Sequence, residues 1–412
     1  MDGNQEPGKA RWGREDDGML DRPHHTTSDI IARCEALFSD LSFTAAREWK
    51  AAEPGRIVVG FLPYYAPREL VHAAGGLPLG IFGGGDQLEV IHGDAYYQSY
   101  ICRIPRSTIE LGVSGRLDFV DGMMFPSICD VIRNLSGMWK LMFPSKGARY
   151  IDLPHNFDDE LGGEFYISEL RETCEWLSSL TGKPITSDAI RASIAVFNDN
   201  RRLVRALYQL RADEPWNVPS AELYLLLRAG MVVPVEQHNQ MLADYLAAVR
   251  LQQRPIKDNS RVVVSGMFCE QPPLNLIKSI ELSGCYIVDD DFILVTRWEN
   301  SDVALDGDPL KNLAYAYLHD SKSTPPKYEP DEAKKGLYLV DSVQKNRAEG
   351  VIFAMTSFCD PGLLERPMLQ AVLKSHGIPQ IAFKYAENSG QMQPIREQAG
   401  TFADSIKLWS GA

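Results

Sequence analysis

The sequence predicts two α/β domains of one design, each with a short, mostly parallel sheet of the Rossmann-like or flavodoxin-like kind, joined by a helical connector. Three observations predict this. The strand-like run Arg56–Leu62 is restated at Arg261–Gly266. An apolar run ending in Ser-x-Cys-Asp occurs twice, at Ser127–Asp130 and Ser357–Asp360, and each time a helical pattern follows. An apolar run that stops at a polar turn before a helix is the βα corner of a parallel sheet, where open α/β folds bind ligands. Between the two halves, Glu164–Arg254 has helical periodicity and no strand signal. The division expected is an extension over residues 1–27, a first α/β domain over 28–163, the connector over 164–257 and a second α/β domain over 258–412.

In chain order, the polar, charged start up to Thr26 reads as a disordered extension. Thr27-Ser28-Asp29 then caps a helix with its apolar stripe at Ile30, Ile31, Cys34, Leu37 and Phe38. Arg56–Leu62 is the first strand. Pro67 suits the first turn of a helix over Arg68–Ala74 that Gly75-Gly76 ends. A second strand, Leu77–Phe82, runs into Gly83-Gly84-Gly85-Asp86. That loop could admit a phosphate, but it lacks the G-x-G-x-x-G spacing and reads equally as a plain turn. Ala95–Glu110 reads as a helix interrupted at Pro105, with Cys102-Arg103 in its middle. The strand Asp118–Phe125, the first corner and a helix from Val131 follow, and then a strand over Ala148–Leu153.

The connector shows helical patterns over Leu170–Leu180, Ile190–Leu210, Glu222–Val232 and His238–Arg250, and Pro255 closes it. Cys34 and Cys174 lie on helical stripes and read as core. In the second half, Pro272–Lys278 with Gly284 echoes Pro67–His72 with Gly75, and Cys285–Val288 stands where the strand at Leu77 stood. Asp289–Asp291 marks a polar strand end. Gly350–Thr356 with its corner matches Asp118–Phe125, and Pro379–Phe383 matches Ala148–Leu153. The repeat therefore puts Cys129 and Cys359 at equivalent corners of two units that can face one another.

A chain of 412 residues exceeds what one core usually holds. Its net charge of -13 argues against a nucleic-acid surface. No apolar run reaches the roughly 18 residues of a membrane helix, and no secretory signal opens the chain. Seven cysteines, an odd number in mostly apolar settings, favour a reducing compartment and metal or redox chemistry over disulfides. The cytoplasm is the expected location.

Soft thiolates from two facing corners select zinc, copper(I) or an iron–sulfur cluster. Zinc sites usually carry close cysteine pairs, and no C-x-x-C occurs. Widely separated cysteines suit a cluster assembled between units. Cys129 and Cys359 are two ligands on this reading. Cys102, beside Ser99, Arg103 and Arg106, is a third, and Cys269, which also follows a strand, is its rival. A phosphate loop G-x-x-x-x-G-K-S/T is absent, since Gly182-Lys183-Pro184 fails at its last position. The nucleophile elbow G-x-S-x-G is absent too.

Four segments carry a family likeness: Tyr96–Arg103, Pro126–Asp130, Ser357–Pro361, and Glu387–Gln391 continuing to Arg396. In order and placement they resemble the 2-hydroxyacyl-CoA dehydratase / benzoyl-CoA reductase family, from about Asp29 to the C-terminus. Within that family the pattern is nearest the C-type cluster subunit of the ATP-dependent reductase branch, with the B type left open. The resemblance implies that Cys102, Cys129 and Cys359 hold one 4Fe–4S cluster with one iron free of protein thiolate. It favours Cys102 over Cys269. It also implies a homologous cluster-bearing partner subunit, ATP-hydrolysing activator subunits, ferredoxin as the upstream electron donor and an acyl-CoA substrate.

The expected activity is an oxidoreductase subunit's: reduction of benzoyl-CoA to a cyclic dienoyl-CoA with low-potential electrons. A proton donor is needed, and His92, Glu270 and Glu387 are candidates at ends of predicted elements, each with an ordinary surface role as the alternative. Gln391 and Arg396 are candidates for substrate contact or for sealing the cluster pocket, against a role in capping a helix. Removal of water from a 2-hydroxyacyl-CoA with the same three thiolates is a second reading. A non-catalytic two-domain binding protein is a third.

Overall fold

A computed structural model describes residues 26–62, 64–266, 273–291, 301–320, 327–386 and 392–410. Among these residues, eight strands form two four-stranded sheets of identical topology. The first is built from β1 (Ile57–Phe61), β2 (Gly76–Gly80), β3 (Gly122–Pro126) and β4 (Gly147–Ile151), in the order β2-β1-β3-β4. The second is built from β5 (Ser260–Gly266), β6 (Cys285–Asp290), β7 (Gly350–Thr356) and β8 (Gln380–Tyr385), in the order β6-β5-β7-β8. Every pairing is parallel. The central strands β1, β3 and β7 are buried along their whole length, as a parallel sheet covered on both faces requires. The strand pairing differs in one detail: the register of β5 on β6 slips between Val262 and Val263.

In each sheet the chain leaves the first strand toward one edge and returns to start the third on the other side. The first and third strands therefore border the point where strand order reverses. Open α/β sheets place ligands outside the carboxyl ends of the strands at that point.

The sequence reading locates these strands to within a few residues. The strand expected from Asp118 starts only at Gly122, because residues 114–119 form turns and 120–121 are irregular. The first helix is Thr27–Ser39, one residue longer at its start than expected. Thr26 is its N-cap, its hydroxyl accepting from the Asp29 amide while the Asp29 carboxylate accepts from the Thr26 amide. Residues 1–25 of the expected extension lie outside the described residues.

The connector holds the helices Glu164–Thr181, Ser187–Asp213, Ser220–Ala229 and Val235–Val249. Its apolar faces join both sheets in one continuous core that runs from Val58 through Leu207 and Leu226 to Ile352. Polar links add specificity. Arg211, wholly buried on the connector, donates to the buried Asp290 carboxylate at the end of β6 at 2.7 Å. Arg201 donates likewise to Glu69 on the helix after β1. His238 is buried in its neutral form, with the Asn200 amide donating to Nδ1 at 2.8 Å and Nε2–H donating to the Leu226 carbonyl at 3.0 Å. Burial depresses its pKa to about 4.

Helices at Thr44–Ala51, Pro309–Asp320, Leu337–Lys345 and Met392–Ser410 go beyond the sequence reading.

Candidate metal centre at the paired corners

β3 ends at Pro126, and the next three residues turn the chain into the helix Asp130–Met142, whose N-cap is Cys129. β7 ends at Thr356, and its turn leads to the helix Asp360–Ser375, whose N-cap is Cys359. The turns are anchored alike: the Ser127 amide donates to the Ile151 carbonyl at 2.9 Å, and the Ser357 amide to the Tyr385 carbonyl at 2.8 Å. The second turn is the more strained, because Phe358 adopts a left-handed backbone at φ 64°. Each helix begins with aspartate, which suits the positive end of the helix dipole.

Cys102 arrives by a third route. The helix expected over Ala95–Glu110 does not exist in that form. Gly93–Ala95 is a single 3-10 turn, a loop follows, and the helix runs from Arg103 to Val113 with Cys102 as its N-cap. Pro105 does not interrupt this helix; it sits in the first turn, where a missing amide hydrogen costs nothing. Cys102 is thus a helix cap like the other two cysteines and not a mid-helix residue.

All three cysteines line one cavity of about 300 Å³ between the corners. Cys102 and Cys359 are buried and Cys129 is half-buried. Three helix N-termini converge on this space, each favouring negative charge. Burial above all pushes the Cys129 thiol up to about 12. The amides of Ile132 and Val131 pull the other way without closing a cap hydrogen bond, and Cys102 and Cys359 add to the rise. Tyr97 is half-buried in the loop before Cys102, and burial first, then the charges of Cys102 and Cys129, hold its phenol above the ordinary value.

Among the described residues, no three His, Cys, Asp or Glu side chains stand close enough to hold a single metal ion. An iron–sulfur cluster spreads its thiolates over separate irons, so its ligands stand further apart than those of one ion. Three thiols around a cavity of this size fit a cluster and not a lone ion.

The loop at Gly83 acts as scaffold. Its carbonyls, and not its amides, do the binding: Arg103 donates to the Gly85 carbonyl at 3.1 Å and also to the Leu88 carbonyl. Gly83, at φ 75°, packs where a Cβ would lie 2.3 Å from the Ser107 hydroxyl. The loop therefore fixes the start of the helix that carries Cys102.

The other candidates separate clearly. His92 lies outside the cavity, its ring 69% exposed and hydrogen-bonded to Glu110 at 3.0 Å. Burial works against charge on Glu110, but hydrogen bonds from Gly93, His92 and Ile91 outweigh it and hold the carboxyl below its usual range. Arg396 is exposed in the helix Met392–Ser410 and lines no part of this cavity. Cys269, Glu270, Glu387 and Gln391 lie outside the described residues. Cys34 is core, its thiol donating to Met241 Sδ at 3.3 Å. Cys174 is half-buried on the helix Glu164–Thr181, and Cys285 lines a separate cavity beside Trp216 and Tyr286. No disulfide joins the described cysteines. Among the described residues, no helix is long and apolar enough to cross a membrane.

The family model described as 2-hydroxyglutaryl-CoA dehydratase, D-component, matches residues 63–406. The chain is 66% identical to the C subunit of benzoyl-CoA reductase from Thauera aromatica, covering 93% of this chain and 100% of that one. It is 28% identical to the beta subunit of (R)-2-hydroxyglutaryl-CoA dehydratase from Acidaminococcus fermentans, over 85% of this chain and 93% of that one. It is 27% identical to the beta subunit of lactoyl-CoA dehydratase from Anaerotignum propionicum, over 91% and 100%.

Proposed function

The chain belongs to the 2-hydroxyglutaryl-CoA dehydratase D-component family, and from that premise we propose that it is the cluster-bearing C-type subunit of a benzoyl-CoA reductase. The single observation that carries the cluster is the convergence of Cys102, Cys129 and Cys359, each a helix N-cap, on one cavity. The likeness to the benzoyl-CoA reductase chain, at 66% identity, supports the reductase branch over the dehydratases, which stand at 27% and 28%.

In this reading the three thiolates hold a 4Fe–4S cluster. When bound, such a cluster supplies single electrons of low potential. The three helix ends offset the charge of the thiolates. Ile101, Ile128 and Phe358 give the cavity an apolar wall. Asp130 and Asp360 flank the cavity from the first residues of two helices. Among the described residues no fourth thiol lines it, which agrees with a cluster that leaves one iron without a protein thiolate.

The complex would contain a homologous cluster-bearing subunit, an ATP-hydrolysing activator fed by ferredoxin, and an acyl-CoA substrate. The absent phosphate loop supports a separate activator. Anaerobic assay of the assembled complex with benzoyl-CoA and with a 2-hydroxyacyl-CoA tests the reading. ATP-dependent formation of a cyclic dienoyl-CoA is expected, with no dehydration of the hydroxyacyl thioester and no activity from this chain alone. Dehydration without ring reduction would move the protein to the dehydratase branch, and iron-free protein would leave only a binding role.

A further inference from the structure

A second cavity, of about 500 Å³, lies at the far end of the second sheet from the cysteine corner. Asn259 and Cys285, at the amino ends of β5 and β6, line it, whereas Cys359 follows the carboxyl end of β7. The two cavities share no residue. A space of this size, mostly apolar with a few polar groups, is what a small-molecule site offers. Trp216 and Tyr286 form its aromatic wall, their rings meeting edge to face at 6.4 Å. The Lys257 amide donates to the Tyr286 hydroxyl at 2.7 Å and fixes that ring. Leu282, 63% exposed, leaves an apolar lip in water.

The charged groups inside are already answered. Glu222 accepts from Arg254 at 2.7 Å. Glu281 accepts at 2.7 Å from the amide of Ser220, the first residue of the helix Ser220–Ala229, whose dipole favours a carboxylate there. Glu35, Lys257 and Lys278 remain, all exposed, and among the described residues neither lysine has an ion-pair partner. The mouth of an aromatic cavity thus carries one more positive than negative charge. An ammonium and a carboxylate meeting there form a charge-assisted hydrogen bond. We propose that this cavity binds an aromatic monocarboxylate, its ring against Trp216 and Tyr286 and its carboxylate on Lys257 and Lys278. An aromatic amine of the same shape would be repelled by the same lysines. The proposal goes beyond the cluster reading, and neither depends on the other.

The test is isothermal titration calorimetry of the anaerobically assembled complex with 3-phenylpropanoate, and with 3-phenylpropylamine as the cation of matching shape. The carboxylate should bind saturably, at one site per copy of this chain, and about tenfold more tightly than the amine. Lys257→Ala/Lys278→Ala, both at exposed positions, should weaken the carboxylate by about tenfold while the melting temperature stays that of the unmodified complex. Lys183→Ala, at an exposed lysine of the connector, should leave the affinity unchanged. Tryptophan emission should respond to the carboxylate and lose that response in Trp216→Phe, which keeps an aromatic wall. No saturable binding, tighter binding of the amine, or an affinity unmoved by the double replacement overturns the proposal. An emission response that survives Trp216→Phe overturns it as well. Each of these results leaves the three-cysteine reading intact, and iron-free protein that still binds the carboxylate would overturn that reading alone.

Discussion

Cys129 and Cys359 occupy the same place in two sheets: each caps the helix that leaves the strand next to the first strand of its sheet, and both open onto one cavity. Neither sheet alone supplies more than one of them. The site therefore depends on how the two sheets are held together, and the buried links through the connector help to hold the two corners in place.

Arg211 is such a link. Replacing it with Met leaves the Asp290 carboxylate buried at 1% exposure without its 2.7 Å partner. Breaking a buried ion pair on one side costs about 3–5 kcal/mol. Arg211→Met should lower the urea midpoint accordingly and reduce iron retention. Stability equal to that of the unmodified chain would show that the link is dispensable.

Gly93 tests the seat of Cys102. A Cβ there would lie 2.0 Å from the Arg106 carbonyl oxygen, on the helix that Cys102 caps. Backbone cannot yield as a side-chain end can, and overpacking of this kind costs about 1–3 kcal/mol. Gly93→Ala should lower the melting temperature and the iron content together. An iron content that stays full would detach this turn from the site.

His238 gives a pH dependence with a definite sign. Its folded pKa, about 4, lies below the ordinary 6.5, so the unfolded chain takes up the proton first as pH falls. The stability this group contributes is complete above pH 6.5 and is lost as pH falls from there through about 4. At about 1.4 kcal/mol per pH unit, the loss is roughly 3 kcal/mol. His238→Gln should flatten that part of the stability curve, measured by urea unfolding at a series of pH values. A curve as steep as that of the unmodified chain would contradict the assignment.

Much of this is legible in the sequence, and the exceptions have physical causes. The strands around Ile57, Val262 and Ile352 stand out as apolar, β-branched runs, and the two Ser-x-Cys-Asp corners mark the ends of β3 and β7. Cys102 is harder to place. A helical pattern through Ala95–Glu110 hides the true start at Arg103, although Pro105, acceptable only in a first turn, is the signal that locates it. The glycine loop at Gly83 looks like a phosphate cradle in one dimension; its use of carbonyls to hold Arg103 emerges only in three. The helix Met392–Ser410 escapes a sequence reading because its start, Met392-Gln393-Pro394, resembles a polar loop.

The central claim is that Cys102, Cys129 and Cys359 together hold one 4Fe–4S cluster. The most direct measurement is iron and acid-labile sulfide in anaerobically purified protein, for the unmodified chain and for single Cys→Ser replacements at all seven cysteines. Iron and sulfide should match one cluster per chain in the unmodified protein. They should fall sharply in Cys102→Ser, Cys129→Ser and Cys359→Ser and stay full in Cys34→Ser, Cys174→Ser and Cys285→Ser. Full iron in Cys102→Ser with loss in Cys269→Ser would contradict the account and shift the third ligand to the second sheet.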